Sequence, residues 1–294
     1  MRIFITGGTG FVGSHLRREL LAAGHQLRLL VHGRPGNLAP GEETVAGDVR
    51  ELASFRDGAN GCEAVINLVG IIREFPARGV TFQKLHVEAT ANALAAAQEA
   101  GIRRYLQMSA NGTRPGAVAG YHRTKWAAEE LVRGSGLDWT IFRPSLIFGP
   151  EDAFVNMLAG YIRSFPAVPV IGDGNYQMQP ISADDVARCF ALALAKPETV
   201  GQTYTICGPD RLSYNELLDA IGKVLGKGRV LKVPQPLGLM KLLVPFMQIF
   251  DAFPLTMDQL TMLTEGNVGD DSWQEVFGFR PEPFIAGIGR YLKP

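Results

Sequence analysis

The segment Ile3-Phe-Ile-Thr-Gly-Gly-Thr-Gly-Phe-Val-Gly13 constrains this chain more than any other: an apolar strand runs directly into a glycine-rich turn. Gly7, Gly10 and Gly13 recur at intervals of three. In such a loop the first glycine permits a tight strand-to-helix turn. The second lets a pyrophosphate approach the backbone, and the third lets the helix pack closely on the sheet. The phosphates then meet a helix N-terminus, where free N–H groups and the macrodipole favour negative charge. A glycine pattern by itself is a weak signal. Here the flanking strand (Arg2–Thr6) and helix (Phe11–Ala23) supply the required context.

Apolar runs and helical patterns alternate beyond the loop. Strands are expected at Gln26–Val31, Thr44–Ala46, Ala64–Leu68, Arg104–Met108 and Thr140–Arg143. Helices are expected near Glu51–Arg56, Val80–Ala100 and Gly120–Ser135. This alternation implies right-handed crossovers and a doubly wound parallel α/β sheet of the Rossmann type. After Pro150 the pattern loosens into a helix near Asp152–Phe165 and the turn Gly172-Asp173-Gly174. A further helix (Ala183–Ala195) and strand (Thr203–Cys207) are expected to rejoin the main sheet. The expected division is therefore 1–208 as nucleotide-binding domain, with a cap excursion near 166–180, and 209–294 as a small, mostly helical C-terminal subdomain.

Twenty-nine Lys and Arg balance twenty-nine Asp and Glu over the 294 residues, which argues against a general nucleic-acid binder. Cys62, Cys189 and Cys207 lie far apart and read as reduced, buried residues, and neither they nor the five histidines form a metal motif. With the first strand beginning at Arg2, no leader is expected and a cytoplasmic location is the default. Residues 236–255 complicate that default, because this run is unusually apolar yet interrupted by Lys241, Pro245 and Asp251. Two readings stand: a helical hairpin packed on the small subdomain, which is favoured, and a patch that lies on a membrane or a partner complex.

The chemistry concentrates in Tyr121-His-Arg-Thr-Lys125, which puts a phenol and an ammonium four residues apart on one helical face. A lysine beside a phenol is expected to lower its pKa and yield an acid/base group able to trade a proton with a carbonyl or hydroxyl. Ser109 follows the strand Arg104–Met108, at the sheet edge where ligands of such folds bind, and its hydroxyl is expected to hold the same oxygen.

These residues together make the chain resemble the extended and atypical short-chain dehydrogenase/reductases, the epimerase/dehydratase-like group, nearly end to end. Thr6–Gly13 is similar to the family's T-G-x-x-G-x-x-G loop, which assigns Thr6, Gly7, Gly10, Phe11, Val12 and Gly13 to the cofactor. The resemblance implies that Asp48 and Val49 meet the adenine, and that Asn67, Leu68, Val69 and Gly70 form the turn flanking the cofactor. It also implies that Pro144 and Ser145 lie near the nicotinamide, and that Ser109, Tyr121 and Lys125 are catalytic, with Lys125 also on the ribose. Asn67–Arg73, Tyr121–Glu130 and Thr256–Asp270 resemble the subgroup related to the nucleotide-binding accessory subunit of mitochondrial complex I. NmrA-like sensors are a more distant likeness. Two departures set a nucleotide-sugar substrate aside: the short interval between Ser109 and Tyr121, and His86 where epimerases usually carry asparagine.

NAD-preferring members end the second strand with an acid, whereas this strand ends at Val31 and is followed by His32 and Arg34. An arginine there can bind a 2′-phosphate, so NADP(H) is the expected cofactor, with NAD(H) as the alternative. Three functions follow. The first is an NADP(H)-dependent oxidoreductase on a small apolar carbonyl or alcohol, in a pocket between the sheet edge and the C-terminal cap that His86, Phe148, Phe154, Met157, Tyr176 and Gln179 line. The second is a non-catalytic nucleotide-binding scaffold or sensor on a respiratory or quinone-related membrane complex. The third, a nucleotide-sugar epimerase or dehydratase, is the least favoured.

Overall fold

The computed structural model describes residues 1–33, 36–250, 253 and 255–293. The first half runs β1 (Arg2–Thr6), α1 (Phe11–Ala22), β2 (Gln26–Val31), β3 (Glu42–Ala46), α2 (Leu52–Ala59), β4 (Ala64–Asn67), α3 (Ala89–Glu99), β5 (Arg104–Met108), α4 (Gly120–Arg133) and β6 (Asp138–Pro144). There follow β7 (Ile147–Phe148), α5 (Ala153–Ser164), β8 (Val168–Ile171), β9 (Gln177–Met178), β10 (Ile181–Ser182), α6 (Ala183–Leu194), β11 (Gln202–Ile206), β12 (Leu212–Ser213) and α7 (Tyr214–Val224). The chain closes with β13 (Lys232–Gln235), α8 (Leu237–Met247), α9 (Met257–Thr264), α10 (Ser272–Phe277) and α11 (Phe284–Ile288).

Two compact units result, one of Met1–Pro144 with Asp184–Thr205, the other of Ser145–Ala183 with Ile206–Pro294. The excursion expected near 166–180 therefore starts at Ser145. Asp152 marks why: its carboxylate caps α5 through the Val155 N–H at 2.6 Å and accepts from the Tyr291 hydroxyl at 3.1 Å, binding this stretch to the C-terminal residues.

In the first unit a seven-stranded sheet has the order β11-β6-β5-β4-β1-β2-β3, with β1 to β6 pairing in parallel. The expected strand at the chain's return thus joins the sheet beside β6. The order reverses between β1 and β4, and the loops leaving those strands, Gly7–Gly10 and Asn67–Gly70, form the edge where such sheets bind ligands. Buried Phe4, Phe55, Val65, Tyr105 and Ile141 fill one face of the sheet. The helix expected over Val80–Ala100 runs from Phe82 to Glu99, with Gln83–Glu88 wound as π-helix before the regular α-helix of Ala89–Glu99. At the start of α6, Asp184 bonds His15 of α1 at 2.6 Å and Arg18 at 2.5 Å. The three cysteines are free and buried, as expected.

The second unit has its own core, in which Phe148, Leu158, Leu217, Ile221, Phe284 and Ile288 are buried. Three small ladders brace it: β7 with β10, β8 with β13, and β9 with β12. Ser213 and Glu216 close a capping box on α7, and Thr256 and Gln259 do the same on α9. Within 236–255, α8 buries Val244 and meets α9, while Leu242, Phe246 and Met247 are exposed. The flanking residues 251, 252 and 254 lie outside the described residues.

Two helical glycines give opposite expectations. A Cβ on Gly58 would strike the buried Phe4 ring, whereas one on Gly160 meets nothing within 4 Å. Gly58→Ala should cost about 1–3 kcal/mol by overpacking. Gly160→Ala should add up to about 1 kcal/mol through helix propensity. Urea unfolding midpoints of the two variants should accordingly move in opposite directions.

Candidate nucleotide-binding and acid/base site

Gly7 follows β1 with φ 75°, a left-handed conformation that glycine adopts without strain. A Cβ at Gly13 would lie 2.5 Å from the Gly7 carbonyl oxygen, so the start of α1 can sit against the turn only if this residue lacks a side chain. Gly10, in contrast, would have its Cβ near the Gly7 oxygen alone, at 3.3 Å, and its outer side is open. Gly10 is the N-cap of α1 and no side chain caps the helix, so the N–H groups of its first turn have no partner in the helix. An open backbone cradle with uncapped donors and no first-turn acid fits a pyrophosphate. Phe11 and Val12 open α1 and are half-buried.

Asn67 is buried at the end of β4 and works as the turn's internal scaffold. Its carbonyl oxygen accepts from the Thr6 hydroxyl at 2.7 Å and from the Val69 N–H at 3.2 Å. Its amide donates to Thr90, Tyr105 and Gln107. Thr6 and Asn67 thereby lock the two loops of the switch point together.

Asp48 pairs with Arg50 and lies 3.7 Å from the His32 imidazole. The Arg50 bond holds the Asp48 carboxyl at about 2, below the usual carboxylate range. His32 is largely exposed beside it, and Arg34 lies outside the described residues. Arg50 was not foreseen; its position two residues after Asp48 was the available signal.

Lys125 is almost fully enclosed. Its ammonium donates to the carbonyls of Val69 and Met108, both at 3.2 Å, which are the backbone at the ends of β4 and β5. A Cβ on Gly70 would stand 2.9 Å from Nζ, so a side chain there would press on the ammonium. Burial lowers the Lys125 pKa to about 8, with the charge of Glu129 opposing. Tyr121 sits one helical turn earlier, its ring edge-to-face with Phe82, His86 and His122. Here the sequence expectation is corrected: burial pushes the Tyr121 phenol up, to about 12, instead of the lysine drawing it down. Desolvation penalises the charged form of both groups, so the phenol keeps its proton at neutral pH.

Ser109 also departs from expectation. Its hydroxyl donates to the buried Glu129 carboxylate at 2.5 Å, and Glu129 is held in turn by Arg143 and Arg133, each at 2.5 Å. The single hydroxyl proton is thus committed, and toward a ligand Ser109 presents lone pairs. Glu129 was missed although Tyr121, Lys125 and Glu129 recur every four residues, the interval that stacks side chains along one helical face.

The candidate substrate residues divide. His86 is buried within the π-turn, with Nδ1 2.9 Å from the Thr124 hydroxyl and Nε2 3.2 Å from the Ile71 backbone, so both nitrogens are engaged. Burial and the Lys125 charge drive its pKa to about 2, leaving it neutral. Phe148 is a core side chain packed edge-to-face on Phe284, and Gln179 spends its amide on the Gly208 carbonyl and the Gly269 N–H. Phe154, Met157 and Tyr176 are half-buried against the second unit's core. Pro144 accepts from the Asn111 N–H at 2.9 Å, while the Ser145 hydroxyl donates to the Gln179 carbonyl.

Residues 3–207 match the family model described as the NAD dependent epimerase/dehydratase family. The chain belongs to that family. Its fold is accordingly an NAD(P)-binding one. Over 288 residues it is 30% identical to the Arabidopsis thaliana protein "NADH dehydrogenase [ubiquinone] 1 alpha subcomplex subunit 9, mitochondrial", covering 91% of this chain and 71% of that one. It is 27% identical to a ceramide reductase of Caulobacter vibrioides over 238 residues, covering 80% of this chain and 74% of the other. A dTDP-glucose 4,6-dehydratase from Streptomyces venezuelae, solved with NAD bound, superposes with TM-score 0.75 at 22% identity, over 99% of this chain and 95% of that one. That likeness is one of fold.

His86 supplies a test by pH. Its folded value of about 2 lies below the ordinary 6.5, so the unfolded chain takes up the proton first. The stability this neutral ring contributes is full above pH 6.5 and is lost progressively as pH falls toward 2. His86→Asn should be less stable at neutral pH yet lose less on acidification. Urea midpoints measured from pH 7 to pH 4 should give a flatter profile for the variant.

Proposed function

We propose that the chain is an NADP(H)-dependent oxidoreductase acting on a largely apolar carbonyl or alcohol. The observation that carries this reading is the protonated, buried phenol of Tyr121 one helical turn from the enclosed ammonium of Lys125. A family member that only held a nucleotide would need the Gly7–Gly13 cradle but not this pair. The dinucleotide would lie with its pyrophosphate on the N-terminus of α1 and its adenine toward Asp48 and Val49. When bound, it supplies or accepts the hydride.

In the reducing direction the Tyr121 hydroxyl donates its proton to the carbonyl oxygen, and the Lys125 charge beside it stabilises the phenolate left behind. In the reverse direction the substrate hydroxyl gives its proton back to the Tyr121 phenolate as the hydride leaves its carbon for the oxidised cofactor. Support for an apolar substrate comes from the ceramide reductase likeness and from the His86 ring, which burial keeps uncharged. Support for NADP(H) over NAD(H) comes from Val31 at the end of β2, where NAD-preferring relatives carry an acid, with His32 and Arg34 offered to a 2′-phosphate. A second reading, a nucleotide-holding subunit of a respiratory complex, is favoured by the likeness to the complex I subunit.

Tyr121→Phe separates the two readings. In a screen of carbonyl compounds, long-chain ketones included, NADPH consumption should fall by about 10²–10⁴-fold in the variant while NADPH affinity stays level. Turnover that is indifferent to Tyr121 overturns the mechanism. Tight NADPH binding with no turnover at all moves the assignment to the scaffold.

The cradle and the cofactor preference are tested by calorimetry. Gly10→Val should abolish NADPH binding without unfolding the chain. The unmodified protein should bind NADPH at least several-fold more tightly than NADH, and Arg34→Ala should erase that difference. Equal affinities in the unmodified protein refute the preference.

A further inference from the structure

The second unit carries an apolar surface that nothing in the oxidoreductase reading uses. Along α8 and just beyond it, Leu239, Leu242, Phe246, Ile249 and Phe250 are exposed, Leu242 by 63%, Phe246 by 67% and Ile249 by 75%. A solvent-facing helix of ordinary composition would turn such residues inward. Here exposure falls on consecutive pairs, Leu242 with Leu243, Phe246 with Met247 and Ile249 with Phe250. Neighbours in a helix point about 100° apart, so the apolar surface wraps well beyond one stripe. A groove in a partner protein covers a single i, i+3, i+4, i+7 stripe. A medium that is apolar on several sides suits this helix better.

The charges nearby agree. The end of α7, the turn after it and the strand leading into α8 carry Lys223, Lys227, Arg229 and Lys232, which with Asp219 line a concavity of about 710 Å³. Lys232 is paired with Asp219 at 2.6 Å. Lys223, Lys227 and Arg229 form no ion pair among the described residues. Lys232 opens β13 five residues before α8 begins at Leu237, so it sits within roughly 17 Å of the helix start at about 3.3 Å per residue. Lys241, exposed on α8 itself, has a stem long enough to lie along the apolar surface with its ammonium in water. At 11 residues α8 is too short to cross a bilayer, and no helix among the described residues is long and apolar enough to do so.

We infer that α8 lies in the interface of an anionic phospholipid bilayer, with its apolar side chains among the acyl chains and the cationic turn at Lys223–Lys232 against the headgroups. Apolar area and electrostatic attraction are the two terms that hold such a helix on a membrane, and both are present here in one unit. The inference does not depend on whether Tyr121 turns over a substrate.

The test is co-sedimentation of the full chain with phosphatidylcholine vesicles, with and without phosphatidylglycerol. The chain should pellet with the mixed vesicles, less with phosphatidylcholine alone, and less as salt rises. Leu242→Glu with Phe246→Glu should weaken vesicle binding at least about tenfold. Lys227→Glu with Arg229→Glu should weaken binding to the anionic vesicles several-fold and flatten the salt dependence. Both variants should retain NADPH affinity, which shows that they are folded. The inference is overturned if the unmodified chain stays in the supernatant, or if the Leu242/Phe246 variant binds as before. It is also overturned if light scattering shows a dimer that this variant dissociates, since a second copy would then cover the face.

Discussion

The buried ammonium of Lys125 is the interaction on which the site depends. A charge removed from water must be compensated, and here the compensation is two backbone carbonyls, Val69 and Met108, at the ends of adjacent strands. One side chain thereby ties α4 to β4 and β5. Its placement has costs elsewhere: position 70 is tightest without a side chain, and the nearby His86 must stay neutral. Glu129 and its two arginines extend the same helix face into a second buried cluster, and this cluster takes the Ser109 proton.

These constraints shape the chemistry. Charge is expensive where Tyr121 and Lys125 lie, so the resting state is a neutral phenol beside an ammonium whose own pKa has fallen to about 8. In the proposed reaction the phenol gives up its proton, and the Lys125 ammonium one helical turn away offsets the charge left behind. Serine stands aside from that proton in this arrangement. Its hydroxyl is bonded to Glu129, which separates the three residues that a motif would group as equals.

The second unit presents a different balance. Its core is complete around Phe148, Leu217 and Phe284, and its helices α5, α7 and α9 are capped by side chains. Against that order, α8 stands out because it buries Val244 and little else. Apolar exposure on this scale costs free energy in water and is relieved by whatever covers it. The nearby cations indicate which kind of surface that is.

Much of this was legible in the sequence. Glycine spacing after an apolar strand implied the cradle at Gly7–Gly13, and the alternation of runs implied the parallel sheet, because both follow from local sterics and short-range periodicity. The four-residue spacing of Tyr121 and Lys125 likewise settled that they share a face. What only tertiary structure decided was everything governed by burial: that Tyr121 keeps its proton, that Ser109 answers to Glu129, and that Phe148 and Gln179 serve packing. It also decided that the second unit begins at Ser145. Desolvation and hydrogen-bond partnership depend on residues far apart in the chain, such as Val69, Met108 and Lys125, and no local pattern records which of them will meet.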